Sequence, residues 1–244
     1  MNLYESLAGC YDSLTLDVPY PDFADYYERL FAADGGEYRM LLDLCCGTGT
    51  LSCLLAERGY DMIAADASPD MLMYARDKAA GLSRGEPPLF ICQAAAELDL
   101  YGTVDAAVSS LDSMNYVPPE DIPEVFDRLR LFIRPGGLLV FDIRTPEFLR
   151  SMDGVLSVDE TDDVFCLWQG AFDVEIGALV YSMDIFRRDG AVWRRGEEVH
   201  TEYAHEPDWL RQTLEKAGFT DVAFRTDGPQ GGDGRLFITA KRQQ

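Results

Sequence analysis

The chain has 244 residues, a length that suits one large domain or one domain with an insertion. Its 43 acidic and 21 basic residues give a formal net charge of −22, and such a surface repels the phosphate backbone of nucleic acids. No apolar run approaches the roughly 18 residues of a membrane span, and the N-terminus lacks the pattern of a signal peptide. We therefore expect a cytoplasmic protein whose partner is neither nucleic acid nor a membrane.

The six cysteines include no CxxC pair. That usage favours reduced, buried thiols over a disulfide framework or a zinc site, so no metal is predicted. We expect the protein to be a monomer or a homodimer.

Two helices are predicted ahead of the first core strand. Apolar side chains recur at helical spacing from Leu3 to Leu14, and a second amphipathic segment runs from Asp22 to Ala33. Glycines follow the second segment directly, as expected at the end of a helix. Residues 1–36 are therefore predicted to form an N-terminal helical cap.

The centre of the chain alternates between strand and helix patterns. The apolar run Met40–Leu44 is followed by a glycine turn and then by helical periodicity, which opens a nucleotide-binding α/β unit. A helix over 207–217 precedes the last two strands. The predicted fold class is α/β, with three layers and a mainly parallel sheet of seven strands, at 40–44, 60–65, 89–92, 105–110, 138–143, 221–225 and 235–241.

The pattern changes between the fifth and sixth of these strands. Three segments have strand composition, and Asp189-Gly190 between the last two of them indicates a hairpin. We predict an antiparallel β meander over 145–205, inserted into a core formed by 37–144 and 206–244. The three meander strands are expected at 164–172, 178–187 and 191–203.

Two ligand classes use a glycine turn of this kind. A dinucleotide-binding turn needs a third glycine, and Ser52 stands at that position. Asp43, two residues before the turn, can reach a cationic amino-acid group, and Asp66 ends the second strand, where it can accept ribose hydroxyls. These features and the C-terminal pair of strands favour S-adenosylmethionine (SAM) over NAD(P).

Three motifs carry a resemblance to a known family. Asp43-Leu-Cys-Cys-Gly-Thr-Gly49 resembles the first motif of class I SAM-dependent methyltransferases, Asp66-Ala-Ser-Pro-Asp-Met71 their ribose motif, and Arg134-Pro-Gly-Gly137 their late turn. The N-terminal segment and the meander resemble those of small-molecule members such as glycine and sugar-amine N-methyltransferases. The resemblance implies a Rossmann-like methyltransferase fold in which these two parts close over the acceptor.

The resemblance also implies a set of cofactor-binding residues. Cys45 stands where the family has its first glycine, so this backbone position must tolerate a side chain. No acidic residue follows the third strand, which leaves the adenine to backbone amides, Gln93 and apolar walls. The cofactor-binding residues are predicted to be Tyr11, Asp43, Cys45, Gly47, Thr48, Gly49, Asp66, Ala67, Met71, Gln93, Ala94 and Leu111.

Methyl transfer requires little of the protein beyond orienting the two reactants and excluding water. A general base helps only where the nucleophile arrives protonated. His200, on the last meander strand, is predicted to be that residue, and His205 is expected to cap a helix. Tyr11 and Asp112 complete the predicted catalytic set, Asp112 because it follows the fourth strand at the open edge of the sheet.

The predicted function is SAM-dependent methylation of a small soluble acceptor at nitrogen or oxygen, by in-line transfer. Acidic residues of the meander favour an amine, although a solvated acidic face is the simpler interpretation. Two alternatives stay open: an NAD(P)-linked oxidoreductase and a non-catalytic SAM-binding module. The acidic residues in question are Asp173, Asp184, Glu198 and Glu202.

Overall fold

The computed structural model describes Tyr4, residues 6–232 and residues 234–244. Within these residues, no helix is long and apolar enough to span a membrane. The helices are α1 (Tyr11–Leu14), α2 (Tyr20–Asp34), α3 (Thr50–Glu57), α4 (Pro69–Ala79), α5 (Ile122–Phe132), α6 (Pro146–Ser151) and α7 (Pro207–Lys216). The strands are β1 (Met40–Leu44), β2 (Asp61–Asp66), β3 (Leu89–Cys92), β4 (Val104–Ser109), β5 (Ile133–Arg144), β6 (Leu156–Glu160), β7 (Val164–Asp173), β8 (Ala178–Asp189), β9 (Val192–Tyr203), β10 (Phe219–Arg225) and β11 (Arg235–Arg242).

Seven strands form the central sheet, in the order β10-β11-β5-β4-β1-β2-β3. The strands from β5 to β3 are parallel, whereas β11 is antiparallel to both of its neighbours. Successive side chains of β1 enter opposite layers: Leu41 packs towards α2 and α3, and Leu42 packs towards α5 and α7. The predicted three-layer fold with a mainly parallel sheet is confirmed.

The fifth strand begins earlier than the sequence predicts. A start at 138 was expected because Arg134-Pro-Gly-Gly137 has turn composition, but Ile133 already pairs with Val104. The ladder then shifts register before it resumes at Ala106. Gly137 lies so close to the neighbouring strand that an added Cβ would stand 2.4 Å from the Asp105 carbonyl oxygen. The motif is therefore an irregularity within β5 rather than a loop before it.

A second sheet contains β6, β7, β8 and β9, all antiparallel. The predicted hairpin at Asp189-Gly190 is confirmed, since Asp189 pairs with Val192. The prediction of three strands was wrong by one, because β6 was missed. Apolar residues alternate in β6 only at Leu156 and Val158, a stretch too short to mark a strand in sequence, and all five β6 residues are exposed.

The N-terminal segment is less helical than predicted. Only Tyr11–Leu14 forms a helix, and Leu3, with which the predicted helix began, lies outside the described residues. The backbone N–H groups of Ser6 and Leu7 donate to Glu198 of β9 instead of to carbonyl groups of a longer helix. A distant carboxylate thus replaces part of the predicted helical hydrogen bonding.

Candidate active site

A cavity of about 840 Å³ opens at the carboxyl ends of β1, β2 and β4. The core sheet supplies one end of it, the inner face of the second sheet supplies the other, and Tyr11 of α1 lies between them. Such a volume is in the range of small-molecule sites, and the carboxyl edge of a parallel sheet is where such sites form. We call the two ends the core end and the lid end.

The glycine turn after β1 shapes the core end. Cys45 has φ of 61° and Gly47 has φ of 54°, and both line the cavity. An ideal Cβ added at Gly47 would meet no other protein atom within 4 Å, so the backbone there is open to a ligand. Cys45 takes up the left-handed conformation without being a glycine, which costs about 1–3 kcal/mol.

The Asp66 carboxylate stands directly behind this turn. Its two oxygens accept hydrogen bonds of 2.8 Å from the backbone N–H groups of Gly47 and Ser68. These bonds fix the carboxylate and leave further lone pairs for hydroxyl donors. Burial raises the pKa of Asp66 above its usual value. A carboxylate beside an open glycine backbone fits the ribose and the extended chain of S-adenosylmethionine.

A buried ion network lies below the centre of the cavity. Asp142 of β5 accepts from the backbone N–H groups of Leu111 and Asp112, each at 2.9 Å, and pairs with Arg235 of β11. Arg235 also donates to Asp112 at 2.6 Å. Leu111 and Asp112 both have positive φ, 58° and 56°. The network holds this strained turn in place, with Asp112 against the cavity.

Two side chains of β9 dominate the lid end. His200 and Glu202 are 2% and 4% exposed and lie on the inner face of the sheet. His200 bonds through Nε2 to Glu198 at 2.7 Å, and its Nδ1 has no partner among the described residues. Glu202 accepts from Tyr116 at 3.0 Å through Oε1, and its Oε2 likewise lacks a described partner. Both unpartnered atoms belong to side chains that line the cavity.

Aromatic rings surround these two groups. The Tyr4 ring lies 4.7 Å from the His200 imidazole, and Tyr116 meets the same imidazole edge-on at 6.0 Å. Trp168 and Tyr181, from β7 and β8, are perpendicular neighbours at 6.4 Å. In this apolar setting burial raises the pKa of Glu202, which would otherwise be ionised at neutral pH.

Comparisons with known proteins agree with this geometry. A family model described as a methyltransferase domain matches residues 41–137. "Putative methyltransferase YqeM" of Bacillus subtilis is 27% identical, with 99% of this chain and 98% of the relative covered. An S-adenosylmethionine-dependent methyltransferase from Clostridium acetobutylicum superposes with a TM-score of 0.84, at 24% identity and with 99% of both chains covered.

The chain is a class I S-adenosylmethionine-dependent methyltransferase. The predicted enzyme class is therefore confirmed, and the oxidoreductase alternative is wrong. SAM-bound CalS10, an amino pentose methyltransferase from Micromonospora echinaspora, also shares the fold, with a TM-score of 0.78 at 21% identity and with 100% and 99% of the chains covered. At such identity the likeness establishes the fold alone.

The methyltransferase brings most of the predicted site residues together. All three predicted catalytic residues, Tyr11, Asp112 and His200, line the one cavity. Tyr11 is half-buried there, and the loss of water around its hydroxyl raises the pKa of that group far above the ordinary value. The predicted cofactor residues that line it are Tyr11, Cys45, Gly47, Asp66, Ala67, Met71, Ala94 and Leu111.

Four predicted cofactor residues lie outside the cavity lining. Asp43 is buried behind the turn and accepts from the Ser52 hydroxyl at 2.5 Å, and burial raises its pKa to about 7. Thr48 bonds to Asp12 at 2.6 Å, and Gly49 packs against Ala75 and Phe90 rather than the cavity. Gln93 accepts from the Asp99 backbone N–H at 3.0 Å. Direct contact of these four with the cofactor stays a prediction.

His205, expected to cap a helix, lies away from the cavity lining. Its Nε2 lies 3.1 Å from the carbonyl oxygens of Met114 and Val117, and it stacks on Trp209. Burial lowers the pKa of His205, which keeps it neutral in this position. It therefore supports the turn that carries Tyr116.

Sequence reasoning missed the ion network and the contact of Glu198 with the N-terminal segment as site features. Asp142 had a visible signal, since it is the one charged residue in the apolar run 138–143. Arg235 and the contact between Glu198 and Ser6 had none, because the paired residues lie 93 and 192 positions apart in the chain. Local sequence patterns do not predict charge pairs between residues so far apart in the chain.

Proposed function

We propose that this methyltransferase transfers a methyl group from SAM to a nitrogen or oxygen nucleophile of a small soluble acceptor. One observation carries the proposal: a single cavity joins the glycine turn and Asp66 at its core end to His200 and Glu202 at its lid end. The cofactor and the acceptor would thus meet inside one cavity of about 840 Å³. Holding two reactants in line in such a space supplies much of the rate enhancement.

The core-end residues would hold the cofactor. Asp66 would accept the ribose hydroxyls, and Gly47 would let the backbone approach the ligand closely. Ala67 and Met71 would form apolar walls beside the adenine. When bound, SAM supplies an electrophilic methyl group on a cationic sulfur, so the protein need not activate the donor further.

At the lid end, His200 is placed to accept the proton of the nucleophile at Nδ1. The rings of Tyr116, Trp168 and Tyr181 support an amine rather than a hydroxyl acceptor, because aromatic faces attract an ammonium group. Asp112 adds negative charge nearby, although Arg235 balances it. The acceptor amine would lose its proton to His200 and then attack the methyl carbon.

Two measurements test the proposal. Calorimetry with SAM, S-adenosylhomocysteine (SAH) and NAD should give tight binding of the first two only. Methyl-labelled SAM, offered with a panel of small amines and matched alcohols, should label an amine. If SAM binds but no member of either set is labelled, the alternative of a non-catalytic SAM-binding module gains support.

A further inference from the structure

The Glu198 carboxylate joins two parts of the molecule that lie far apart in sequence. Its Oε1 accepts from the backbone N–H groups of Ser6 and Leu7 at 2.6 and 2.7 Å. Its Oε2 accepts from the backbone N–H of Tyr4 at 3.2 Å and contacts Nε2 of His200 at 2.7 Å. Glu198 is only 6% exposed, so these hydrogen bonds offset most of the free-energy cost of burying its carboxylate.

The N-terminal strap, defined as Tyr4 and residues 6–14, is anchored at its other end to the core. Asp12 accepts from the Thr48 hydroxyl at 2.6 Å and pairs with Lys78 at 2.8 Å. Thr48 belongs to the glycine turn that shapes the core end of the cavity. The strap thus runs from the cofactor turn to the lid sheet, and its Tyr4 and Tyr11 line the cavity between them.

We propose that Glu198 is a positioning residue with two effects. It holds the strap over the cavity, and it orients the His200 imidazole so that Nδ1 can act as the base. The inference rests on the proposed function, because it assigns Glu198 a part in methyl transfer. Glu198 is not among the residues that line the cavity. It acts through the His200 ring and through three strap N–H groups.

The tautomer of His200 follows from this arrangement. An ionised carboxylate can only accept hydrogen bonds, and Glu198 meets three backbone donors besides the imidazole. These hydrogen bonds keep the pKa of Glu198 below its usual value despite burial. Neutral His200 must therefore carry its proton on Nε2, which leaves the Nδ1 lone pair free as the proton acceptor.

The same contacts link the position of the strap to the orientation of the His200 imidazole. When the strap lies on Glu198, its three N–H groups fix the carboxylate, and the carboxylate in turn fixes the ring. With the strap displaced, Glu198 would lose these donors and would hold the ring less firmly. Proton acceptance would then be efficient only while the strap closes the cavity, when water is excluded.

Nitrogen-15 NMR of the imidazoles tests the tautomer directly, because the chain has only two histidines. In the wild type, His200 should be the Nε2–H tautomer. In Glu198→Gln, the amide oxygen would take the strap donors and its NH₂ would face the ring, so His200 should change to the Nδ1–H tautomer. A His200→Ala spectrum assigns the signals.

Hydrogen exchange tests the strap in the presence of SAH. Glu198→Ala should speed exchange of the Ser6 and Leu7 amides by about tenfold or more, because each loses a charge-assisted hydrogen bond. His200→Ala and Glu197→Ala should leave both amides protected. Glu197 is the matched control, since it is the neighbouring glutamate on the same strand but is 64% exposed.

Turnover provides the third measurement, with the first amine of the screen that accepts the label. Glu198→Gln should lower kcat about as far as His200→Ala, and the double variant should be no slower than either. An Nδ1–H tautomer in wild-type His200 would overturn the proposal even if the variants failed to fold. So would Ser6 and Leu7 amides that stay as protected in Glu198→Ala as in Glu197→Ala, or single-variant losses that multiply.

The binding titration separates this inference from the proposed function. If wild-type protein gives no heat with SAM or SAH, the proposed function itself fails. If SAH binds normally but the tautomer or the exchange result is the opposite of that expected, only the role of Glu198 fails.

Discussion

The two ends of the cavity are built from different parts of the polypeptide. At the core end the cavity surrounds a backbone turn at the strand ends, which carboxylates such as Asp66 and Asp142 hold in place. At the lid end the cavity is lined by side chains of one sheet face, where His200 pairs with Tyr181 across the β8–β9 ladder. The shape of the core end therefore depends on the backbone, and that of the lid end depends on side chains.

The two ends also differ in how completely their polar atoms are bonded. Both Asp66 oxygens and both Asp142 oxygens have partners. In the core sheet, Ser109 Oγ and Arg235 Nε lack a partner among the described residues, whereas the lid end holds three such buried atoms: Trp168 Nε1, His200 Nδ1 and Glu202 Oε2. Because a buried polar group without a partner is costly, we interpret these three as groups that meet a ligand.

The largest expected effect tests whether the core end is the rigid one. Arg235→Met should lower the free energy of unfolding by about 3–5 kcal/mol, because it leaves the Asp142 carboxylate buried without its cation. Chemical denaturation measures this loss. Arg128→Met, which breaks an exposed pair with Glu124, should cost under about 0.5 kcal/mol. Equal losses in the two variants would contradict the comparison.

His200→Ala should separate the two ends in function. Turnover should fall by about a hundredfold or more, the usual contribution of a general base, because no side chain then accepts the proton of the methyl acceptor. SAM affinity should stay within about twofold, since the cofactor residues lie at the core end. Steady-state kinetics and calorimetry give the two numbers, and matching losses in both would indicate a structural role for His200.

Asp66→Ala should have the complementary result. SAM affinity should fall by about 10- to 100-fold, because the ribose loses its acceptor and two buried N–H groups lose theirs. Calorimetry with SAH measures the change without turnover. Asp61→Ala serves as the control at the other end of β2, where Asp61 pairs with Arg39 at the surface. Unchanged SAH binding in Asp66→Ala would place the cofactor elsewhere.

The last expected effect is a pH dependence at the lid end. Burial raises the pKa of Glu202 to about 8, above its usual value near 4.5. Folded protein therefore keeps a proton that the unfolded chain releases, and the stabilising contribution is complete below about pH 4.5 and is lost as the pH rises through 8. Glu202→Gln removes the ionisation.

The variant should gain Tm relative to the wild type as the pH rises from 5 to 9, by on the order of ten degrees. Differential scanning calorimetry of both proteins across that range gives the difference. Glu197→Gln, at an exposed site on the same strand, should show no such trend. A constant difference between Glu202→Gln and the wild type would mean that Glu202 ionises normally.

The core could be predicted because its signals are local. The alternation of Leu41 and Leu42 between two layers, the glycine turn and the carboxylate at the end of β2 all lie within short stretches. The lid was predicted less well: β6 was missed because its residues are exposed, and β6 is an edge strand defined only by pairing with β7. The start of β5 could not be predicted for the same reason, because Ile133 belongs to the strand only through its pairing with Val104.

By itself, the sequence determined the core end of the cavity, because a strand, a glycine turn and Asp66 fix backbone geometry over a few residues. It also predicted a site with Tyr11, Asp112 and His200, which line the same cavity. Only the tertiary structure decided which side chains stand next to them. Glu198 meets Leu7 and Arg235 meets Asp142 across 191 and 93 positions, and such contacts depend on chain folding rather than on local pattern.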